Sequence, residues 1–398
     1  MRNGSSLDAL IVGAGMVGAA LALGLARAGL RVGLIEPHPP VPPSATDPVD
    51  LRVVAIAPHA QRLLERLRVW PEIVAVRAAP YERMHVRDAQ SGASIDFAAV
   101  DYGWPCLGHI VENRLIAGAL WRALQAEVDV RLLAGERLDG FEEDAGGLRV
   151  RLAGGSRWSS RLLVAADGAA SQVREQLLIG VEGGGHGQSG LVAHVEPERS
   201  LGRLAWQRFL PSGPLALLPL ADGRSSMVWT LPSARADALR VASEGEVETA
   251  LLRASDGVCG RLRLTSARAT FPLRTQIARR FAQGRCILVG DAAHVVHPLA
   301  GQGVNLGFAD VAALLADVEA ALAAGGEPFA DSRLSRWGRA RRSEATLAGR
   351  AFGGLNRLYA VSEGPLVAAR SFGLRAVDRL TPLKRRLAER AAGILAAG

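Results

Sequence analysis

A glycine pattern that directly follows an apolar run near the start of the chain constrains the fold more than any other feature. Gly13-Ala14-Gly15-Met16-Val17-Gly18 follows the segment Leu7–Val12, which is apolar apart from Asp8. In a strand-turn-helix unit the first glycine permits the tight turn, the second lets a pyrophosphate approach, and the third lets the helix pack on the strand. The N–H groups at the start of the helix then face the phosphates. The pattern predicts a dinucleotide-binding βαβ unit with a strand at Leu7–Val12, a helix at Gly15–Ala28 and a strand at Arg31–Glu36.

An acidic residue ends this unit. Glu36 is placed to accept hydrogen bonds from an adenosine ribose, which favours a ribose with free hydroxyls and therefore FAD or NAD over NADP. A glycine-rich turn without a ligand is the alternative interpretation, but the strand before the turn and the acid after it favour a nucleotide. The uncharged stretch Ala9–Ala26 is interpreted as the strand and helix of this unit, not as a signal peptide or a membrane span.

A second turn far along the chain has the chemistry of a flavin site. Gly290-Asp291-Ala292-Ala293-His294 follows a predicted buried strand, and Pro298, Gly301-Gln302-Gly303 and Asn305 come after it. An aspartate at a strand end can bind the ribityl hydroxyls of a flavin. The glycines would bring a helix N-terminus to the flavin, where its positive end stabilises negative charge on the reduced ring. A strand-to-helix turn with a capping aspartate explains the same residues equally well.

The nucleotide-binding signals lie in three separated stretches, the third of which surrounds Asp167 and Arg174. By itself this third stretch is typical of an aspartate that caps a short helix. From about Gly183 to Pro232, short strands separated by Pro and Gly predict an antiparallel sheet. The chain is therefore expected to leave one nucleotide domain, form a β-rich insert and return.

The predicted fold is α/β, a Rossmann-like FAD-binding domain with an inserted β-rich substrate domain and C-terminal helices. The FAD-binding domain is expected to comprise residues 1–80, 101–182 and 281–350. The β-sheet substrate domain is expected to comprise residues 81–100 and 183–280, and the C-terminal helical region residues 351–398. Breaks in the C-terminal helices are expected near Gly353-Gly354 and Pro365.

The charge and the amino-acid composition limit the kinds of molecule that this protein is expected to bind. The net charge of +8 suits anionic ligands or surfaces, but aromatic residues are only 5% and the basic residues are scattered, which argues against nucleic acid. The cysteines Cys106, Cys259 and Cys286 lie far apart, so neither a metal site nor a disulfide framework is expected. This cysteine usage fits a reducing compartment, and we expect a cytoplasmic protein whose cysteines are buried packing residues.

Taken together, the motifs resemble those of the class A flavoprotein monooxygenases, the group of para-hydroxybenzoate hydroxylase. Several further segments are similar to signatures of the ubiquinone-biosynthesis hydroxylases within that group: Gly108-His109-Ile110-Val111-Glu112-Asn113-Arg114, Ala205-Trp206-Gln207-Arg208-Phe209-Leu210-Pro211, Gly213-Pro214-Leu215-Ala216, Ser226 through Trp229, and His297 through Gly307. The resemblance covers nearly the whole chain and weakens only towards the C-terminus.

The resemblance implies an FAD-dependent monooxygenase that hydroxylates the aromatic ring of a polyprenylated phenol in ubiquinone biosynthesis. NADPH or NADH would reduce FAD, O2 would add at flavin C4a, and the hydroperoxide would deliver the hydroxyl group. By match of position, Glu36 binds the ribose, Asp291 binds the flavin side chain, and Asp167 lies in a stretch associated with FAD and nicotinamide. Arg52 and Arg114 resemble FAD-contacting arginines of the family. The residues expected at the flavin ring are Gly301, Gln302, Gly303, Val304 and Asn305.

The sequence does not decide the roles of several histidine and aromatic residues, and it leaves alternative functions open. His109, His194, His294 and His297 are candidate proton handlers, and none is assigned as a catalytic base because a lone histidine is more often structural. Trp206 and Phe209 either line the ring pocket or pack in the core. A class A hydroxylase of a small soluble aromatic compound is one alternative function. Another is a flavin-binding scaffold that organises a biosynthetic complex without turnover.

The segment from Arg357 to Arg390 has a basic amphipathic pattern. As a hypothesis, this tail docks on an anionic bilayer, which would make the protein peripheral at the inner membrane, or on an acidic partner of a ubiquinone-biosynthesis complex. A solvated helical face that packs on the FAD-binding domain is the alternative. The basic residues concerned are Arg370, Arg375, Arg379, Lys384, Arg385, Arg386 and Arg390.

Overall fold

A computed structural model describes residues 6–144, 147–296, 303–362 and 364–393. The strands, in chain order, are β1 (Leu7–Val12), β2 (Val32–Glu36), β3 (Val53–Ile56), β4 (Ala79–Tyr81), β5 (Arg83–Asp88), β6 (Ser94–Ala98), β7 (Gly108–Glu112), β8 (Val130–Ala134), β9 (Leu138–Asp144), β10 (Gly147–Leu152), β11 (Arg157–Ala165), β12 (Val181–Pro197), β13 (Leu204–Leu210), β14 (Gly213–Pro219), β15 (Ser225–Pro232), β16 (Leu262–Leu264), β17 (Ala269–Ala278), β18 (Ala282–Gln283), β19 (Cys286–Leu288) and β20 (His294–Val295). The helices are α1 (Met16–Arg27), α2 (Pro58–Arg66), α3 (Trp70–Val76), α4 (Asn113–Gln125), α5 (Gln172–Gln176), α6 (Ser233–Val241), α7 (Glu244–Ser255), α8 (Gly303–Ala323), α9 (Asp331–Ala360), α10 (Gly364–Arg379) and α11 (Thr381–Ala391).

The first sheet is the predicted Rossmann-like sheet, with strand order β18-β19-β11-β1-β2-β8. Its central strands β19, β11, β1, β2 and β8 run parallel, and the hairpin β9–β10 extends it through β11. β1 is buried along its whole length, as expected of a parallel strand covered on both faces. Helices α1, α4 and α8 pack on one another, and Gly24 permits the close approach of α1 to Leu315 of α8. The predicted α/β fold is confirmed.

The second sheet is formed mainly by the inserted region, with strand order β20-β17-β12-β15-β14-β13-β5-β6 and β16 paired to β12. Its pairs are antiparallel except for β13 and β5, which run parallel. One face is covered by α6 and α7 around an apolar cluster that includes Trp206 and Trp229. Because side chains alternate between the faces of a strand, the neighbours of these tryptophans point to the opposite face.

A small third sheet, β3-β7-β4, joins the other two. Ala55 and Ile110 of this sheet pack against Ala216 and Leu218 of the second sheet in a shared apolar cluster. Asn113 follows β7 directly and begins α4, and Arg52 precedes β3. The third sheet therefore brings Arg52 and Asn113 to the boundary between the two large sheets.

The C-terminal region is helical, but the expected break near Gly353-Gly354 is wrong because α9 continues from Asp331 to Ala360. Glycine inside a helix costs about 1 kcal/mol relative to alanine, and packing beyond the glycines offsets this cost. Tyr359 in the last turn of α9 stacks on Phe209 of β13, with 4.0 Å between ring centroids. A break does occur before Pro365, which occupies the first turn of α10.

Within the described part of the chain, no helix combines the length and apolar character needed to cross a bilayer. The three cysteines are free and buried, as predicted from their spacing. Burial raises the pKa of the Cys286 thiol to about 12, so this thiol stays protonated and serves as a packing residue.

Candidate functional site

The glycine-rich turn contains two glycines that the fold itself requires and one that borders open space. A Cβ atom on Gly13 would lie 2.5 Å from the carbonyl oxygen of Ala166, and one on Gly18 would lie 2.0 Å from that of Gly13. At Gly15 no atom of the described residues, apart from its immediate chain neighbours, lies within 4 Å of the Cβ position. Gly15 is also the N-cap of α1, and no side chain caps this helix. The N-terminus of α1 is therefore free to receive an anionic group such as a pyrophosphate.

Glu36 at the end of β2 holds the glycine-rich turn in place. Its Oε2 accepts a hydrogen bond of 2.7 Å from the Ala14 N–H, and its Oε1 accepts one of 2.9 Å from the His38 N–H. Each carboxylate oxygen can accept a further hydrogen bond. The residue is half-buried and lies beside the turn, so its position fits the predicted contact with a ribose.

The three motif stretches, which are remote in sequence, meet at one edge of the first sheet. Ala166 donates its N–H to Val12 at 2.8 Å, and Val289 donates its N–H to Ala165 at 2.9 Å, so β1, β11 and β19 end side by side. Cβ positions built on Gly290 and Gly307 would lie 3.2 Å and 2.6 Å from the Val17 methyl carbons. Ligands bind at this carboxyl edge in doubly wound α/β folds.

The two motif aspartates, Asp167 and Asp291, lie at this edge, and their carboxylate oxygens can accept hydrogen bonds from a ligand. Asp167 Oδ2 accepts a hydrogen bond of 3.3 Å from the Val173 N–H, whereas its buried Oδ1 has no hydrogen-bond partner among the described residues. The N-cap of α5 is Ser171, whose hydroxyl accepts a hydrogen bond of 3.0 Å from the Arg174 N–H, so Asp167 is not the N-cap residue although it accepts a first-turn N–H of this helix. A buried acceptor without a partner is costly, which makes Asp167 a candidate ligand contact.

Asp291 follows Gly290 and keeps an exposed surface although protein surrounds much of it. Burial by the surrounding protein raises the pKa of its carboxyl group, and the charges of His294, Arg52 and Arg274 oppose this rise. A hydroxyl-bearing ligand that donates hydrogen bonds to this carboxylate would favour its ionised form. The position at a strand end and the nearby arginines fit the predicted contact with the flavin side chain.

Arg174 links the stretch after β11 to the stretch after β19, a role that the sequence did not reveal. Its buried guanidinium donates hydrogen bonds of 2.9 Å to the carbonyl oxygens of both Ala292 and Ala169. Burial lowers the pKa of this guanidinium, which is nevertheless charged at neutral pH. Arg174 therefore fixes the two aspartate-bearing turns relative to each other.

The start of α8 is held against β3 by Asn305. Its side-chain Nδ2 donates to Ala55 O at 2.7 Å, and its Oδ1 accepts from the Ala57 N–H at 2.9 Å. The side-chain amide is thus engaged by backbone, so Asn305 positions Gly303 and Val304 in the first turn of α8. The predicted contacts Pro298, Gly301 and Gln302 lie outside the described residues, as does His297.

A buried ionic cluster around Asp310 of α8 supports the turn at Gly290. Asp310 of α8 accepts hydrogen bonds from His294 Nε2 at 2.6 Å, from Arg341 Nε at 2.8 Å and from the Gly290 N–H at 3.1 Å. Burial alone would raise the pKa of Asp310, but His294 and Arg341 hold it below its ordinary value. His294 therefore has a structural partner, and the signal for this cluster is an aspartate on the buried face of an otherwise apolar helix.

A mainly apolar cavity of about 200 Å³ lies between the second sheet and the ends of β3 and β7. Its lining residues are Leu51, Arg52, Val53, Asn113, Gly190, Val192, Gln207, Pro214, Ala216, Leu218, Val228, Thr230, Phe271 and Leu273. The Arg52 guanidinium lies 5.2 Å from the centroid of the Phe271 ring and contributes to the field at Asp291. The cavity is therefore adjacent to the edge where the three motif stretches meet.

The aromatic residues singled out in the sequence belong to the core and not to this cavity. Trp206 packs under α6 and α7, and Phe209 stacks on Tyr359. Gln207, between them on β13, faces the cavity instead. The described lining also includes none of the candidate histidines, because His109 packs edge-on against Trp70 at 5.0 Å and His194 is buried in β12.

Arg114 and Arg52 lie in a segment organised by the buried Glu112. This carboxylate accepts hydrogen bonds from the Asp50 N–H at 2.7 Å, from Arg77 Nε at 2.6 Å and from Arg114 Nε at 3.3 Å. Arg114 also donates to the carbonyl oxygen of Pro48. Glu112 thus holds the loop that precedes β3 against the start of α4, and it keeps both predicted FAD-contacting arginines at the same boundary.

Comparison with known proteins shows one family across most of the chain. The model of the family described as FAD binding domain matches residues 6–345. The chain is 37% identical to the protein named Ubiquinone hydroxylase UbiL of Rhodospirillum rubrum, over 98% of this chain and 90% of that protein. It is also 37% identical to the 3-demethoxyubiquinol 3-hydroxylase of Escherichia coli, over 96% of this chain and 98% of that protein.

A solved structure supports the same architecture. p-Nitrophenol 4-monooxygenase PnpA from Pseudomonas putida superposes with a TM-score of 0.76, at 20% identity, over 97% of each chain. At this identity the similarity establishes the fold alone. The residues at the carboxyl edge fit an FAD molecule, since in the described part of the chain Gly15 borders open space, no side chain of the N-cap residue caps α1, and the buried Oδ1 of Asp167 has no hydrogen-bond partner.

Proposed function

The chain belongs to the FAD binding domain family, and from this membership we propose that it is an FAD-dependent monooxygenase that hydroxylates the aromatic ring of a polyprenylated phenol in ubiquinone biosynthesis. Its similarity to two ubiquinone-pathway hydroxylases over nearly their full lengths supports this substrate class. The observation that carries the proposal is an apolar cavity of about 200 Å³ next to the edge where the three motif stretches meet.

FAD would be held by residues from all three stretches. The turn and first helical turn formed by Gly13, Gly15, Met16, Val17 and Gly18 would receive the pyrophosphate. Glu36 would bind the ribose and Asp291 the ribityl hydroxyls. Asp167, Arg52, Arg114 and the start of α8 at Gly303, Val304 and Asn305 would complete the contacts. In this proposal residues 1–80, 101–182 and 281–350 form the FAD-binding domain, and residues 81–100 and 183–280 form the substrate domain.

When bound, FAD would carry electrons from NADPH or NADH to O2 and so permit transfer of one oxygen atom to the ring. The protein's own contribution is to exclude water and to hold the ring in place. The apolar cavity wall excludes water. The confined volume orients the ring towards the cofactor edge. Among the described lining residues there is no histidine or carboxylate, and the polar side chains of Arg52, Asn113, Gln207 and Thr230 are available to position the ring.

The decisive experiment combines flavin spectroscopy with product analysis. Purified holoprotein is reduced anaerobically with NADPH or NADH, then mixed with O2 and 2-farnesylphenol, and the products are identified by mass spectrometry. We expect loss of the flavin absorbance and a phenol that carries one additional oxygen atom. Flavin that is not reduced, with or without phenol, would support the scaffold alternative. Preferred turnover of phenols without a prenyl chain would support a hydroxylase of small soluble aromatics.

We also infer that the C-terminal helices make peripheral contact with an anionic inner membrane. Exposed apolar side chains on α10 and α11 are interleaved with arginines, and Phe372 is 77% exposed. The other exposed residues of this surface are Leu366, Arg375, Arg379, Leu380, Leu383, Arg385, Arg386, Leu387 and Arg390. Arg370 does not belong to it, because its side chain is buried against Asp88. Apolar side chains among basic ones suit the interface of an anionic bilayer.

Flotation with vesicles that contain anionic lipid tests this contact. We expect Phe372→Ser and Leu383→Ser together to reduce the floated fraction several-fold, with a further reduction at high salt. Leu178→Ser is a matched control, since Leu178 is 92% exposed on a different surface. Flotation that is equal for wild type and the double variant would contradict a role for this surface.

A further inference from the structure

Gln207 of β13 has a side-chain amide without a protein partner. The residue is 4% exposed, and its amide makes no hydrogen bond with any residue in the described ranges. An amide that lines a cavity without a protein partner is available to hydrogen-bond to a ligand or an ordered water. Gln207 lines the cavity that we propose for the ring, as does Asn113, whose buried Oδ1 has no hydrogen-bond partner among the described residues.

Gln207 also borders a second, smaller cavity of about 30 Å³. The two cavities share Gln207, Ala216 and Leu218 as lining residues, so they lie next to each other. The remaining residues that line the smaller cavity are Ala55, Tyr81, Met84, Ile110, Ala205 and Trp206. Tyr81 and Met84 are half-buried, so this cavity approaches the protein surface at their end.

We propose that the Gln207 amide binds the ring oxygen that neighbours the prenyl substituent, and that the first carbons of the prenyl chain enter the smaller cavity. This inference rests on the proposed function. A phenol hydroxyl can donate to Oε1 of the amide and accept from Nε2. Because a single residue borders both cavities, the oxygen that it binds and the substituent that enters the smaller cavity must be adjacent on the ring.

The chemistry of the two cavities fixes the orientation of the ring. A hydroxyl group in the smaller cavity would lose its hydration among mostly apolar side chains. Met84, an unbranched and adaptable side chain, lies where a longer prenyl chain would continue. Gln207 is therefore a positioning residue that decides which ring carbon faces the cofactor.

Binding isomers of one phenol to the FAD-loaded protein tests this proposal. The change in flavin absorbance is titrated with 2-farnesylphenol and with 4-farnesylphenol in the same detergent. We expect wild type to bind the 2-isomer more tightly. Gln207→Met retains a similar side-chain volume and removes the amide. It is therefore expected to lower the affinity for the 2-isomer about 3- to 10-fold and to change the affinity for the 4-isomer by no more than about twofold.

Gln188→Met is the matched control on the same sheet. Gln188 bonds to Ser212 O at 3.1 Å and to Asn356 Nδ2 at 3.0 Å and lines neither cavity, so its replacement is expected to leave the preference between isomers unchanged. Equal weakening of both isomers by Gln207→Met, or no preference in wild type, would overturn the proposal.

Ala205→Val gives an independent test, since Ala205 lines only the smaller cavity. It is expected to weaken 2-farnesylphenol and to leave 2-methylphenol unchanged, whereas equal weakening of both ligands would contradict a chain in this cavity. These measurements need no turnover. A protein that shows the expected binding pattern but forms no hydroxylated product would contradict only the proposed function.

Discussion

At the scale of single residues, glycine has two distinct roles in the turn before α1. Gly13 and Gly18 are required by protein packing, because a Cβ atom on either would collide with backbone. Gly15 is not, since no atom lies within 4 Å of its Cβ position and its backbone φ is −62°. Alanine can therefore replace Gly15 without a clash among the described residues, and a ligand that approaches the backbone, as proposed for FAD, is a physical reason for glycine at this position.

Gly15→Ala is accordingly expected to separate folding from cofactor binding. We expect the apoprotein to keep its unfolding free energy within about 0.5 kcal/mol and FAD affinity to fall about tenfold or more. Affinity is measured by flavin fluorescence and stability by urea denaturation of the apoprotein. Gly184→Ala serves as control, because Gly184 also borders open space but lies in β12. An unchanged FAD affinity in Gly15→Ala would contradict the assignment of this turn.

At the scale of secondary-structure elements, the C-terminal helices are held against the rest of the protein by a buried arginine, which the sequence pattern had suggested lies on the surface. Arg370 of α10 forms a bidentate pair with Asp88 of β5, with distances of 2.9 Å and 3.1 Å. Its Nη1 donates to Leu358 O at 2.7 Å, and its guanidinium lies 4.8 Å from the Tyr359 ring centroid. α10 therefore packs on the substrate sheet, and the residue after α11 reaches the first domain, where the Ala392 carbonyl oxygen accepts the His59 N–H at 3.2 Å.

Breaking this pair should loosen α10 and α11. Arg370→Met leaves Asp88 buried and unpaired, so we expect a loss of about 3–5 kcal/mol in unfolding free energy and faster amide exchange in α10 and α11. The double variant Asp88→Asn, Arg370→Met is expected to lose less unfolding free energy than the sum of the losses in the two single variants. Arg375→Met on the exposed face of α10 is the control. Equal stability of Arg370→Met and Arg375→Met would refute the docking role.

At the scale of the whole molecule, three histidines in different regions share one property. Burial lowers the pKa of His59, His109 and His194 below the ordinary value. The unfolded chain therefore binds protons more readily than the folded protein as the pH falls past about 6.5. Their contribution to stability is present above that pH and is lost as the pH decreases towards the folded-state values.

Thermal stability should consequently decrease between pH 7.5 and pH 5.5. The decrease is expected to be smaller in the variant that combines His59→Gln, His109→Gln and His194→Gln, because glutamine does not titrate. The melting temperature of the FAD-loaded protein is measured at both pH values for each form. His38→Gln is the control, since His38 is exposed. A decrease of the same size in wild type and in the triple variant would exclude these histidines as its source.

Sequence alone determined the features that depend on local patterns. The strand at Leu7–Val12 follows from an apolar run, and the turn at Gly13 follows from a backbone conformation with φ of +102° that side chains rarely adopt. The α/β fold class followed from motifs in which local steric requirements explain the residues present. The cofactor contacts named from these motifs remain predictions, with Glu36 and Asp291 at the edge where such contacts are made.

Tertiary structure alone decided how remote residues combine. It brought Gly290 and Gly307 against Val17, buried Arg370 against Asp88, continued α9 through two glycines, and turned Gln207 rather than Trp206 towards the larger cavity. A local pattern reports the preference of a short segment, whereas burial and pairing depend on partners supplied by distant segments of the chain. The free energy of those contacts exceeds local preference, so only the folded chain reveals them.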